Sequence, residues 1–313
     1  MAWQRLNFFV GKGGVGKSSV AGAFALASAH GGQRTLMVEF GSAAGLARLF
    51  GKQDASSGTV VEVEPGLYLQ SLDGRAALAE YLGLVVPIRR LLKTVLDSSI
   101  YRSFVDAAPG LKELMTMGKV WYEVDKKDEA GRLVWDRVVV DCGASGQSLE
   151  YLSMPATGVA TFSSGLVHRE SRRIDQLIRD PAQTAVHVVT VAEEMPLTEA
   201  AEVVAKLKGP LGLPLGRVFA NRCRGSVPPG VTDGLARLAD MDVDAAGVVD
   251  GISESCRQAL LWQDLQEEGL GRFTTSTGVS VFRLPLLGSQ KFGRAQLSEL
   301  AAVIDAAGDG AAP

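Results

Sequence analysis

An α/β fold, with a doubly wound and mainly parallel sheet, is what three features of this sequence predict. Short apolar runs rich in β-branched residues alternate with longer stretches of helical periodicity. The short runs are apolar on both faces instead of alternating, as expected of strands covered by helices on either side. Aromatic residues make up only 6% of the chain while glycines number 36, which suits tightly packed layers joined by glycine-dependent turns.

The elements follow in order. Leu6–Val10 is a compact apolar strand that runs into a glycine loop. Residues 18–30 form an Ala-rich helix stopped by Gly31 and Gly32, since paired glycines end a helix readily. Residues 34–40 (RTLMVEF) and 67–73 predict the second and third strands. The interval 75–125 breaks the rhythm, because it carries no strand signal and reads as several helices (AALAEYLGL, IRRLLKTVL, KELMTMGKVWYE). It is read as a helical insert on the carboxyl edge of the sheet, where open α/β folds bind ligands. Residues 135–142 (WDRVVVDC) predict a buried strand ending in a charge, and 186–192, 217–221 and 279–284 predict the remaining strands. Residues 297–307 form a closing amphipathic helix, and the tail GDGAAP at 308–313 is expected to fray. Residues 1–307 are thus read as one domain.

The composition excludes several classes. With 35 acidic and 32 basic residues in 313, the formal charge is −3, too near zero for general affinity for nucleic acid or anionic lipid. Three cysteines (Cys142, Cys223, Cys256) without a CxxC pair exclude a disulfide framework and a cysteine-built zinc site. The start lacks a signal pattern and no apolar run reaches membrane-spanning length, so a soluble protein of the cytoplasm is expected. The closing helix lacks basic residues, which argues against a stable membrane anchor. The histidines His30, His168 and His187 are scattered, and Arg169, Arg172 and Arg173 read as a solvated helix face.

The chemistry concentrates after the first strand. Gly11-Lys12-Gly13-Gly14-Val15-Gly16-Lys17-Ser18-Ser19 fits the phosphate-binding pattern GxxxxGK[ST], placed between a strand and a helix as its mechanism requires. The glycines let backbone N–H groups turn inward around phosphate oxygens, aided by the positive helix N-terminus. Lys17 is expected on the β- and γ-phosphates of a nucleotide, and the Ser18 hydroxyl on Mg²⁺. The second lysine, Lys12, makes this the deviant form of the loop; in proteins with that form it crosses a face-to-face dimer to the partner's phosphates, as an arginine finger does. An exposed loop lysine is the competing reading.

Beyond the loop, most of the chain resembles the ArsA-type ATPases, the arsenical-pump and tail-anchored-protein-targeting branch of the MinD/ParA-like P-loop class. The segment from Asp141-Cys142-Gly143-Ala144-Ser145-Gly146 through Pro155 is similar to that family's switch II. Pro65-Gly66-Leu67-Tyr68 with Asp73, Pro109-Gly110 before Glu113, and Asp180-Pro181 followed by Glu193, Glu194 and Glu199 resemble further family segments in the right order. The resemblance implies that Asp141 holds Mg²⁺ through water and that Gly143 and Gly146 let switch II follow the γ-phosphate. It also implies that Asn221 reads adenine and that Pro285 lies in the loop covering the base; a turn-capping Asn and an ordinary loop proline are the competing readings.

Two departures stand out. The family's second strand ends in an Asp that orients the attacking water, whereas here Glu39 takes the first acidic position and Gly41 the water-positioning one. Hydrolysis is therefore expected to be slow or absent unless Glu39 or a partner compensates. Only some 25 residues (156–180) follow switch II before the Asp-Pro segment, and they read as a polar, Arg-rich helix. That is too little for the methionine-rich groove of the targeting chaperones, so Met115 and Met117 are read as core. The expectation is a Mg·ATP-binding slow nucleotide switch, working as a homodimer or as half of a heterodimer with a related ATPase, with room for a protein client on the insert. The alternatives are a non-hydrolysing regulatory subunit and a tail-anchored-protein targeting factor.

Overall fold

The structure, a computed structural model, describes residues 3–41, 45–52, 58–72, 110–143, 145–228 and 248–308 except 290, together with 230, 231, 233, 234 and 237. Most of the expected helical insert and the tail beyond Gly308 lie outside the described residues.

Among the described residues, eight strands form one sheet in the order β3-β4-β2-β5-β1-β6-β7-β8. These are β1 (Leu6–Val10), β2 (Thr35–Phe40), β3 (Val60–Glu64), β4 (Leu67–Leu72), β5 (Arg137–Asp141), β6 (Thr184–Val191), β7 (Leu215–Cys223) and β8 (Val281–Pro285). Every pairing is parallel except β3 with β4. That hairpin is a difference from the sequence reading, which recognised only its second strand. VVEVE carries two glutamates and lies half-exposed at the sheet edge, so it lacks the apolar signature of the inner strands. Gly66, at a φ of 76°, makes the two-residue turn that reverses the chain.

The described helices are α1 (Lys17–His30), α2 (Gly45–Leu49), α3 (Leu111–Asp125), α4 (Ser145–Thr161), α5 (Gly165–Arg179), α6 (Glu194–Lys208), α7 (Val248–Thr277) and α8 (Arg294–Gly308). Successive strand residues feed opposite layers. Phe8, Val38 and Val140 join a core with α3, α4, α5 and α6, while Phe9, Met37 and Val139 join another with α1 and α8. Both layers are buried, which is why the strands read as unbroken apolar runs. The Ala-rich α1 is buried from Val20 to Ser28 on nearly every side, wedged between the sheet and α8, so only small side chains fit there. Met115 and Met117 lie in the first core, as the sequence predicts. His187 is also structural: its Nε2 meets Asn7 Oδ1 at 3.1 Å, its Nδ1 accepts the Arg217 N–H at 2.9 Å, and burial pushes its pKa down to about 3.

The parallel register places the strand ends together. Phe9 of β1 and Glu39 of β2 both pair with Asp141 of β5, and Val191 of β6 pairs with Asn221 of β7. Three predicted site residues, Glu39, Asp141 and Asn221, thus lie toward one carboxyl edge.

Candidate nucleotide site

The loop between β1 and α1 carries glycine where its geometry demands it. Gly11, Gly14 and Gly16 have φ of 149°, 84° and 89°, values that a side chain strains against. Gly11 is also in close approach, for a Cβ there would lie 2.1 Å from the Val189 carbonyl oxygen of β6. Gly13 and Gly14 are exposed at the crest, while Val15 inserts into the core beneath. Gly16 is the N-cap of α1 and offers no side-chain cap, so the first-turn N–H groups of Lys17, Ser18 and Ser19 are left for an anion.

Lys17 folds back over this loop and donates from Nζ to the Lys12 carbonyl at 2.8 Å. It is nearly buried, and desolvation holds its pKa below the usual lysine range against the pull of Asp141. Ser18 Oγ donates to Asp141 Oδ2 at 2.5 Å, joining the loop hydroxyl to the strand-end carboxylate. Asp141 is 2% exposed; burial raises its pKa, and Ser18, Lys17 and the Gly143 N–H oppose the rise. The donor set of hydroxyl and carboxylate is all oxygen, which fits a hard cation such as Mg²⁺. Gly143 follows at a φ of 69°, its N–H 3.4 Å from Asp141 Oδ1, and Gly146 lies in the first turn of α4.

Glu39 stands beside Asp141 in register, with Oε2 buried and unpartnered. Burial first, then the Asp141 charge, push its carboxyl up to about 7, while a bond from the Leu46 N–H pulls it down. An acid that is harder to ionise folded than unfolded destabilises the fold as it ionises. Below about pH 4.5 both states hold the proton and there is no cost; the cost grows as pH rises through the window to about 7, then stays constant. Thermal midpoints of nucleotide-free protein in a chelator should show this. The stability of Glu39→Gln relative to wild type should increase from pH 4.5 to pH 7 and level off above it, and a flat difference would mean that Glu39 is solvated.

Gly41, which the family resemblance sets at the water-positioning place, has a φ of 112°. Its N–H donates to the Leu72 carbonyl at 3.0 Å and its carbonyl accepts from Ser71 Oγ at 2.8 Å. Among the described residues a Cβ would meet nothing within 4 Å, so the obstacle they present to a side chain is backbone strain, about 1 kcal/mol or more.

Lys12 departs from the free lysine that a role across a dimer calls up. In the single chain its Nζ meets Glu199 Oε1 of α6 at 2.5 Å. Nothing in the local sequence links residues 187 apart, so spacing could not have found this pair. Asn221 is buried, with Nδ2 donating to the Val15 carbonyl at 2.9 Å. Pro285 is exposed at the end of β8, opposite Cys223 in register and hence two residues from Asn221's position. Cys142 and Cys223 are buried thiols whose pKa values burial raises, consistent with structural roles. Among the described residues, no helix is long and apolar enough to cross a membrane.

Comparison with known proteins gives the family. A sequence model of the family described as anion-transporting ATPase matches residues 4–169. The chain is 31% identical over 253 residues to the ATPase BagA of Mycobacterium tuberculosis, covering 79% of this chain and 73% of that protein. It is 27% identical over 157 residues to an arsenical pump-driving ATPase of Escherichia coli, covering 47% of this chain and 25% of that protein. The loop, the paired strand ends and this similarity lead to one conclusion: the chain belongs to the ArsA-type family of anion-transporting ATPases and is an ATP-binding ATPase.

Proposed function

We propose that the protein is a slow, Mg²⁺-dependent ATP switch whose binding and hydrolysis cycle closes and opens a dimer, with itself or with a related ATPase. The observation that carries this reading is the Ser18–Asp141 contact within the field of Lys17, a hydroxyl, a carboxylate and an ammonium at one strand edge that support a cation site beside a phosphate-binding lysine. Ser18 and Asp141 would hold Mg²⁺, Asp141 through water, and the cation would neutralise charge on the transferring phosphate. Gly11 to Ser19 would wrap the phosphates, and Asn221 and Pro285 would flank the base. Glu39, two residues before Gly41 on β2, would hold or accept a proton from the attacking water. Its carboxyl near 7 suits that work, but its place at the strand end, two residues before Gly41, makes it a poor replacement, and slow turnover follows.

The cis pair of Lys12 and Glu199 does not block a role across a dimer. With the side chains 34% and 38% exposed, such a pair is worth about 0.2–1 kcal/mol, so opening it costs no more than about fivefold. Phosphate release in Mg·ATP, alone and mixed with a related ATPase, tests the enzyme reading. Lys12→Ala should leave single-chain ATP affinity within about twofold but lower the dimer mass seen by light scattering with a non-hydrolysable analogue. An unaltered dimer would refute the trans-acting lysine. The second reading, a regulatory subunit that binds ATP without turnover, is favoured by the glycine-only backbone at Gly41, and absence of phosphate release from well-folded, ATP-bound protein would select it.

A further inference from the structure

We infer that Asn221 is a positioning residue of the phosphate loop itself, a role separate from any contact with the base. The inference rests on the nucleotide-site reading above.

Its side chain is 5% exposed, and Nδ2 donates to the Val15 carbonyl at 2.9 Å, a bond that ties β7 to the loop 206 residues earlier. The approach is close enough that a Cβ on Gly16 would lie 2.3 Å from Nδ2. The strand is shaped for the contact. The β7–β8 register shifts between Ala220 and Cys223, and Arg222 sits at a φ of 58°, a left-handed conformation that costs a non-glycine residue about 1 kcal/mol or more. The backbone is therefore bent at the residue after Asn221.

The peptide unit explains the consequence. In a planar trans peptide the C=O and the following N–H point in opposite directions. Holding the Val15 carbonyl on Asn221 directs the Gly16 N–H away from Asn221. It also prevents the peptide from flipping to present a carbonyl lone pair to the space that phosphate would occupy. Gly16, free of a Cβ and at a φ of 89°, is the residue about which such a flip is easiest. Asn221 thus removes a conformational freedom that the glycines would otherwise leave in the loop, and it pre-forms the anion site before ligand arrives.

The role predicts a loss independent of the base. Asn221→Ala and the near-isosteric Asn221→Leu should weaken ATP and inorganic tripolyphosphate alike, by about three- to tenfold, the range of one net hydrogen bond. Amide hydrogen exchange in the peptide spanning residues 11–18 should quicken relative to the β1 and β6 core in nucleotide-free protein, a readout that keeps the test legible if the variants melt earlier. If ATP weakens while tripolyphosphate affinity and loop exchange stay at wild-type values, Asn221 is a base reader only and the inference is overturned. Unchanged affinity for both ligands overturns it as well. Wild-type protein that binds neither ATP nor tripolyphosphate would instead overturn the nucleotide-site reading on which it rests.

Discussion

Lys17→Ala is expected to abolish measurable ATP binding. The Lys17 ammonium is desolvated in the loop, within reach of the Asp141 field and bonded to the Lys12 carbonyl, so its position is set before a nucleotide arrives. A charge–charge contact at about 4 Å in a partly dielectric-screened site is worth a few kcal/mol, and hydrogen bonds to charged groups about 1.5–3 kcal/mol. Removing the cation should therefore weaken the triphosphate by about two to three orders of magnitude. Calorimetric titration at millimolar ATP checks this, with Ser19→Ala as a control in the same helix turn. An affinity within tenfold of wild type would show that the loop does not bind phosphate as described. Because Asp141 loses one of the groups that favour its ionised form, the variant should also shift its acid stability profile slightly.

Gly11→Ala should be the most destabilising single change in the loop. Its Cβ would lie 2.1 Å from the Val189 carbonyl oxygen, a backbone atom of an inner strand. That oxygen cannot move without disturbing the β1–β6 ladder, where Val10 pairs with Val188. The φ of 149° adds strain whatever space is made. The combined cost is expected to be about 2–4 kcal/mol, a fall in thermal midpoint of roughly 3–6 °C. Gly14→Ala provides the contrast: at a φ of 84° but with none of the described residues within 4 Å of its Cβ, it should cost only about 1 kcal/mol. Equal losses for the two variants would show that the close approach at Gly11 is relieved by movement of β6.

The nucleotide loop was legible because its signal is local. Gly11 to Ser19 are consecutive, and their conformations follow from residue type, so a strand, a glycine run and a helix start could be read in order. The inner strands were legible for a related reason, since layers on both sides impose an apolar run wherever the strand lies. The edge strand Val60–Glu64 escaped because half-exposure lets glutamates into it, and the 30-residue α7 escaped because the reading named no element between residues 221 and 279. The glycine at position 41 was legible as a residue type, but its positive φ was not, since glycine occupies right- and left-handed backbone almost equally.

By itself the sequence determined the layer architecture, the glycine-rich pattern after the first strand and the family resemblance, all of which depend on residue type and short-range order. Only the tertiary structure decided which side chains meet at the carboxyl edge. Crossover connections of dozens of residues leave the order and register of parallel strands unspecified by any local pattern. The pairing of Glu39 with Asp141 across β2 and β5, the hold of Asn221 on Val15 and the capture of Lys12 by Glu199 all follow from that register and from the helices packed on it. The electrostatics are decided at the same level, because a carboxyl is pushed up to about 7 by burial and a neighbouring charge, and neither exists until the strands lie side by side.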